Sequence, residues 1–199
     1  MPLGVPKVPF LFSEDDEASW VELYNVIYRC RMLFLGDEIN SETTNDIGGL
    51  MVFLNIENPK RDIHLLINSP GGEMLSGLAI YDLMQVIQPA VNTLCVGIAA
   101  SMASLLLIGG QISKREAFPH ARIMIHQPLS DSFDSPAGEG VLDTSELMDL
   151  RYSVADIYAE KTGKPSWQTF DDLNRDNFMT PEEAQAYGII DKLADSDSI

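Results

Sequence analysis

The stretch "DIHLLINSPGGEMLSGLAIYDLMQVIQPAVNTLCVGIAASMASLLLIGG", residues 62–110, holds two apolar runs with a helical pattern after each. "DIHLLIN" predicts a strand that breaks at "SPGG". "EMLSGLAIYDLMQVIQ" then carries helical periodicity until Pro89 stops it. "VNTLCVG" predicts a second strand, and "AASMASLLLIGG" a short helix behind it. "ARIMIHQP", 121–128, gives a third strand. Strands that are apolar throughout and alternate with helices belong to a parallel sheet covered on both faces, so the fold class is α/β.

On the N-terminal side, "MLFLG" predicts a further strand. A helix that Ser41 can cap is expected next, with Ile47, Leu50, Met51 and Leu54 on its apolar face and Pro59 just beyond its end. "DDEASWVELYNVIYRCR" sets Trp20, Leu23, Tyr24 and Ile27 at helical spacing. The first 13 residues, with three prolines, read as a poorly structured arm or an assembly contact. On the C-terminal side, 129–142 is polar and irregular. A long helix follows, capped by Asp143 with Glu146 closing the box; Leu147, Leu150, Val154, Ile157 and Tyr158 lie along one side, and it ends at Gly163. "TPEEAQAYG" has complete small-helix signals in Thr180, Pro181, Glu183 and Gly188, and "IIDKLA" suits a last strand. No repeat or linker divides the chain, which reads as one domain over 1–199.

Thirty Asp/Glu against thirteen Lys/Arg, a net charge of -17, argue against a nucleic-acid backbone as partner. The longest apolar run falls short of the roughly 20 residues that cross a bilayer. The opening residues show neither a secretory nor an Arg-rich transit pattern, so the chain is expected to act where it is made. Cys30 and Cys95 lie far apart in apolar stretches and read as reduced core thiols.

Reactive groups in this architecture belong where strands end and helices begin. "INSPGG" can turn sharply and present bare backbone N–H groups. Ser101 stands just past a strand, near unpaired helix N–H groups that favour developing negative charge. Met102 offers one oxyanion donor there and Gly72 another. Taken from this segment alone, Ser101 reads more readily as an ordinary N-cap, and its surroundings do not match G-x-S-x-G, since Ala99 and Ala103 hold the glycine places. Ser104 is expected to bond back to a helix carbonyl. His126, at the end of the third strand, is a base or a satisfied core histidine; His64 lies within a strand and His120 in a turn. Asp171, Asp172, Asp176 and Asp191 all remain available as a third member. No spacing gathers three ligands around a metal.

"LINSPGG" (66–72), "GIAASMAS" (97–104), "RIMIHQP" (122–128) and "RDNFMTPEEAQAYGIID" (175–191) together resemble the Clp protease proteolytic subunit family. The opening "MPLGVPKVPF" with "FPHARIMIHQP" is most similar to the chloroplast-encoded form, which implies the chloroplast stroma. The resemblance implies a crotonase-like spiral of β-β-α units with a mostly parallel sheet, an N-terminal arm over 1–17 and a protruding handle over about 129–162. Carried over by position, the nucleophile falls on Ser101, the base on His126, the orienting acid on Asp176 and the oxyanion donors on the backbone of Gly72 and Met102. It further implies homo- or hetero-heptameric rings stacked in pairs, with Glu146 and Arg175 at the ring–ring contact. An ATP-using AAA+ Clp unfoldase would deliver unfolded proteins, with no cofactor held in this chain.

The sequence departs from the family pattern in places. Ala103 stands where glycine is usual. The positions that dock the unfoldase carry Leu66, Val86 and Glu116 instead of aromatic residues, and an acid at an apolar contact is costly to desolvate. A catalytically weak or inactive scaffold subunit of a mixed ring is therefore the alternative within the fold. An enoyl-CoA hydratase-like enzyme would not need all three triad residues, and the chain lacks a basic patch for coenzyme A.

Overall fold

The computed structural model describes residues 5–11, 19–127, 137–195 and 198, with 137–143 as backbone only. The arm residues 1–4 and 12–17, and residues 129–136 of the handle region, lie outside the described residues. In chain order the elements are β1 (Lys7–Phe10), β2 (Ser19–Glu22), α1 (Leu23–Arg29), β3 (Met32–Leu35), α2 (Ser41–Glu57), β4 (Ile63–Ser69), α3 (Met74–Val86) and β5 (Val91–Ala100). Then come α4 (Met102–Ile108), β6 (Arg115–Ala117), β7 (Arg122–Ile125), α5 (Ala137–Thr162), α6 (Ser166–Asp172), β8 (Asn177–Met179), α7 (Pro181–Tyr187) and β9 (Lys192–Leu193).

β3-β4-β5-β6-β9 run parallel in one sheet, with β7 parallel to β5 and β8 antiparallel to β7. The apolar runs of the central strands are buried, as a sheet covered on both faces requires: Ile63, Leu65 and Ile67 are fully enclosed, as is Cys95. α4 is the most buried helix described, with Leu105, Leu106, Leu107 and Ile108 all at zero exposure. Each such side chain contributes about 1.5–3 kcal/mol relative to exposure.

Two features of β5 position everything that follows. Its first half pairs with β6 (Thr93–Cys95) and its second half with β7 (Ile98–Ala100), so it forks along its length. Between them the register to β4 shifts, from Ile67↔Cys95 to Ser69↔Ala99. The Asn68 side chain fills the break by accepting from the Ile98 N–H at 3.2 Å. Gly97 leaves room for it, because a Cβ there would lie 2.5 Å from Asn68 Oδ1.

Several sequence expectations are corrected. Trp20 lies in a strand, β2, that pairs antiparallel with β1; the arm supplies the hydrogen-bond partners that helical spacing could not anticipate. α2 is capped by Asn40, whose side chain accepts from the Thr43 N–H, and Ser41 is its first residue. The long helix begins by Ala137, so Asp143 lies inside it; Gly138 and Gly140 weaken but do not break a helix of this length. Cys30 is exposed in the turn after α1, whereas Cys95 is buried. β6, β8 and α6 carry patterns too short to read.

β6 is joined to the end of α7 by Arg115. Its guanidinium, 6% exposed, donates to Asp191 at 2.9 and 2.6 Å and to the Gly188 carbonyl at 3.1 Å. Burial would raise the Asp191 carboxyl, but the hydrogen bonds and charge of Arg115 outweigh it and hold Asp191 below the ordinary aspartate value. Its contribution is therefore complete above the unfolded value and is lost as pH falls through the lowered native one. Asp191→Ala leaves a buried, unpaired guanidinium and should cost about 3–5 kcal/mol in urea unfolding at neutral pH, with a smaller deficit at acid pH. An unchanged midpoint would remove this pair from the account.

Candidate active site

The registers of three strands bring the candidate residues together. Ala100 pairs with Met124 in the parallel β5–β7 ladder, so Ser101 and His126 emerge side by side. Ile125 pairs with Asn177 in the antiparallel β7–β8 ladder, and one step further along that register sets Asp176 opposite His126. Ser101 Oγ lies 2.8 Å from His126 Nε2, and His126 Nδ1 lies 3.3 Å from Asp176 Oδ1. The three side chains are thus ordered hydroxyl, imidazole, carboxylate.

The other aspartates are committed elsewhere. Asp191 holds Arg115, Asp172 accepts from the Tyr187 hydroxyl at 2.7 Å, and Asp171 faces Asn174. The carboxylate of Asp176 is 67% exposed while His126 is 13% exposed. The imidazole is sheltered and the carboxylate beside it stands in water.

Ser101 is the N-cap residue of α4 but makes no side-chain cap bond, so its hydroxyl is left for His126. Its backbone lies at φ 55°, ψ −126°, a region L-residues enter only at a cost of about 1–3 kcal/mol. This is the sharp strand-to-helix turn associated with G-x-S-x-G, formed without either glycine. The room comes from the neighbouring turn: at Gly71, φ 97°, an added Cβ would lie 2.6 Å from the Ala100 carbonyl oxygen and 2.7 Å from Ser101 Cβ. At Gly72, φ 153°, a Cβ would collide with the Ile39 carbonyl. Ala103, the departure noted in the sequence, is fully buried.

Gly72 and Met102 line a cavity of about 430 Å³ with Ser101, His126 and Tyr158. The N–H groups of Gly72 and Met102 meet no described acceptor within the chain. Ser104 donates to the Ser101 carbonyl at 2.6 Å, as expected of a helix hydroxyl, and lies 2.7 Å from the Tyr158 hydroxyl. Tyr158, read from the sequence only as one apolar position among several, is 2% exposed and its hydroxyl is pushed well above the ordinary tyrosine value by burial. A tyrosine buried on a helix face signals a hydroxyl in need of a partner, which is the clue that would have singled it out.

The other sequence candidates lie apart from this cavity. Glu146 and Arg175 are exposed and form no ion pair with each other. Leu66, 9% exposed, and Glu116 share a small cleft with His64 and Lys114, while Val86 is 80% exposed outside it. Glu116 is already paired with Lys192 at 3.1 Å. Among the described residues no group of three His, Cys, Asp or Glu side chains could hold a metal ion, and no helix is long and apolar enough to cross a membrane.

A hydroxyl on a strained turn, an imidazole in hydrogen-bond contact and two free backbone donors on an α/β sheet define a serine-hydrolase type of site. The family model of the Clp protease matches residues 14–197. The ATP-dependent Clp protease proteolytic subunit of Lotus japonicus is 55% identical over 194 residues, covering 98% of this chain and 99% of the relative. Those of Eucalyptus globulus subsp. globulus and Nicotiana tabacum are each 54% identical over the same coverage. The chain belongs to the Clp protease family.

Gly71→Ala tests whether the neighbouring glycine holds the Ser101 turn open. The substitution combines a positive φ with a backbone collision and should lower the unfolding free energy by about 1–3 kcal/mol. It should also suppress labelling of Ser101 by a fluorophosphonate at least tenfold under conditions where the chain remains folded. Full labelling would show that the turn does not need Gly71.

Proposed function

We propose that this chain is a serine-type endopeptidase subunit that hydrolyses peptide bonds of unfolded proteins delivered by an ATP-dependent Clp chaperone. The observation that carries the reading is the 2.8 Å contact between His126 Nε2 and a Ser101 hydroxyl that is not used as a helix cap. Nε2 must be the acceptor for Ser101, so the proton sits on Nδ1 and faces Asp176.

The reaction follows from these positions. His126 takes the Ser101 proton as Oγ bonds to the peptide carbonyl carbon. The carbonyl oxygen becomes an oxyanion between the N–H groups of Gly72 and Met102. His126 then returns the proton to the leaving amine, the C–N bond breaks, and an acyl-serine remains. Water enters, gives its proton to His126 and attacks the ester; collapse releases the acid and restores Ser101. Asp176 stabilises the imidazolium and fixes the ring.

The same reading includes a single domain with the spiral arrangement of β-β-α units, a handle formed around α5, and paired heptameric rings of one or several subunit kinds. The stromal location rests on the resemblance of the opening segment. Arg175 adjoins Asp176 and, together with Glu146, is free to pair between rings. The exposure of Asp176 gives that assembly something to control, and it also favours the second reading, a subunit catalytically weak until its neighbours are present. At the docking face, Glu116 lies where an unfoldase loop would need an apolar contact, so homomeric rings should bind the unfoldase weakly and Glu116→Leu should tighten them. Tight binding by unmodified homomeric rings would contradict that.

Two experiments test the proposal. A fluorophosphonate with peptide mapping should label Ser101, and His126→Ala should abolish the label; an unlabelled Ser101 in assembled double rings supports the scaffold reading. Arg175→Glu should yield single rings by native mass spectrometry and lower peptidase activity at least tenfold. Intact double rings with normal turnover would sink the assembly argument.

A further inference from the structure

The hydroxyl pair behind the nucleophile has a fixed direction. The Ser101 carbonyl can only accept, so the single Ser104 hydroxyl proton points to it, across 2.6 Å. Ser104 Oγ therefore has no proton left for Tyr158, and the Tyr158 hydroxyl must donate to Ser104 across 2.7 Å. Both residues are buried, Ser104 completely and Tyr158 at 2% exposure.

The carbonyl at the end of this chain belongs to the same peptide unit as the Met102 N–H. Ser104 and Leu105 backbone N–H groups also donate to that carbonyl, at 3.0 and 3.4 Å. Every donor on the oxygen draws charge from the amide and strengthens the N–H at its other end. The donors also resist rotation of a peptide that follows a residue at φ 55°.

We infer that Tyr158 and Ser104 are positioning residues that orient and polarise the Ser101–Met102 peptide, and thereby tie the oxyanion donor to the long helix α5. Neither touches the reacting atoms. Their effect is confined to the state in which the oxyanion exists, so they should govern kcat and leave KM alone. Tyr158 also links the cavity wall to a helix that carries Glu146 three turns away, giving a displacement of α5 a direct route to Met102.

This inference rests on the peptidase reading, and the test separates the two. Tyr158→Phe, Ser104→Ala and the double variant, each assembled as the full chain, are assayed with a fluorogenic peptide and a peptide boronate. Each single variant should lower kcat about 3- to 10-fold with KM unchanged and weaken the boronate by the same factor. The double variant should be no worse than Ser104→Ala alone, because the two hydroxyls act in series. Thermal midpoints identify any variant that is misfolded; since each removes one oxygen atom, either single variant carries the test by itself. Unchanged kcat and boronate affinity in a folded single variant, or independent losses that multiply in the double variant, would overturn the inference. A wild-type chain that neither cleaves the peptide nor accepts the fluorophosphonate rejects the peptidase reading and this inference with it; a labelled wild type with indifferent variants rejects the inference alone.

Discussion

Ser101 is held in a backbone conformation that nothing in its own chemistry favours, and the surrounding structure is arranged to keep it there. A serine at φ 55° relaxes unless its neighbours over-determine it. Here the restraints come from three sides. The Ser101 N–H continues the β5–β7 ladder by donating to Met124 at 2.9 Å. Its carbonyl is gathered into the first turn of α4 by Ser104 and Leu105. The third side is open by construction, because Gly71 has no Cβ to fill it. The buried helix α4 anchors the turn in the core, where close-packed neighbours resist its relaxation.

The site is unevenly built around that turn. The Ser101–His126 contact is short and sheltered. The His126–Asp176 contact is longer, and its carboxylate is largely in water, where screening leaves little Coulomb energy. Ser101 and Met102 thus sit where the buried strand β5 meets α4, while Asp176 immediately precedes β8, a three-residue strand that pairs with β7 among the described residues. Arg175 adjoins Asp176 in the segment that leads into β8. The division suits the proposed peptidase, whose Ser101–His126 contact is made within the chain while the Asp176 carboxylate is reachable from outside it.

Much of this was legible in the residues. The apolar runs of β4, β5 and β7 and the caps of α7 could be read because burial and capping act locally. Ser101 as a strand-end hydroxyl was visible too, but not its strained turn, because the space for that turn comes from Gly71, thirty residues earlier in the chain. The choice among four aspartates was closed to local reading for the same reason: β8 is too short to show a pattern, and its antiparallel register is what sets Asp176 against His126. Resemblance supplied that residue where periodicity did not. Trp20 failed in the opposite direction, since a helical spacing was overridden by hydrogen bonds from the arm strand β1. Tyr158 had the right burial, but its hydroxyl partner lay on another helix.

The central claim is that the turn at Ser101 presents the hydroxyl and the two backbone N–H groups to a single point. The direct test is an experimental structure of the phosphonylated protein. The account requires the phosphorus on Ser101 Oγ, one phosphoryl oxygen within hydrogen-bond distance of both the Gly72 and Met102 nitrogens, and Ser101 still at positive φ. A phosphoryl oxygen turned to solvent, or a Ser101 relaxed to negative φ with the adduct in place, would contradict it.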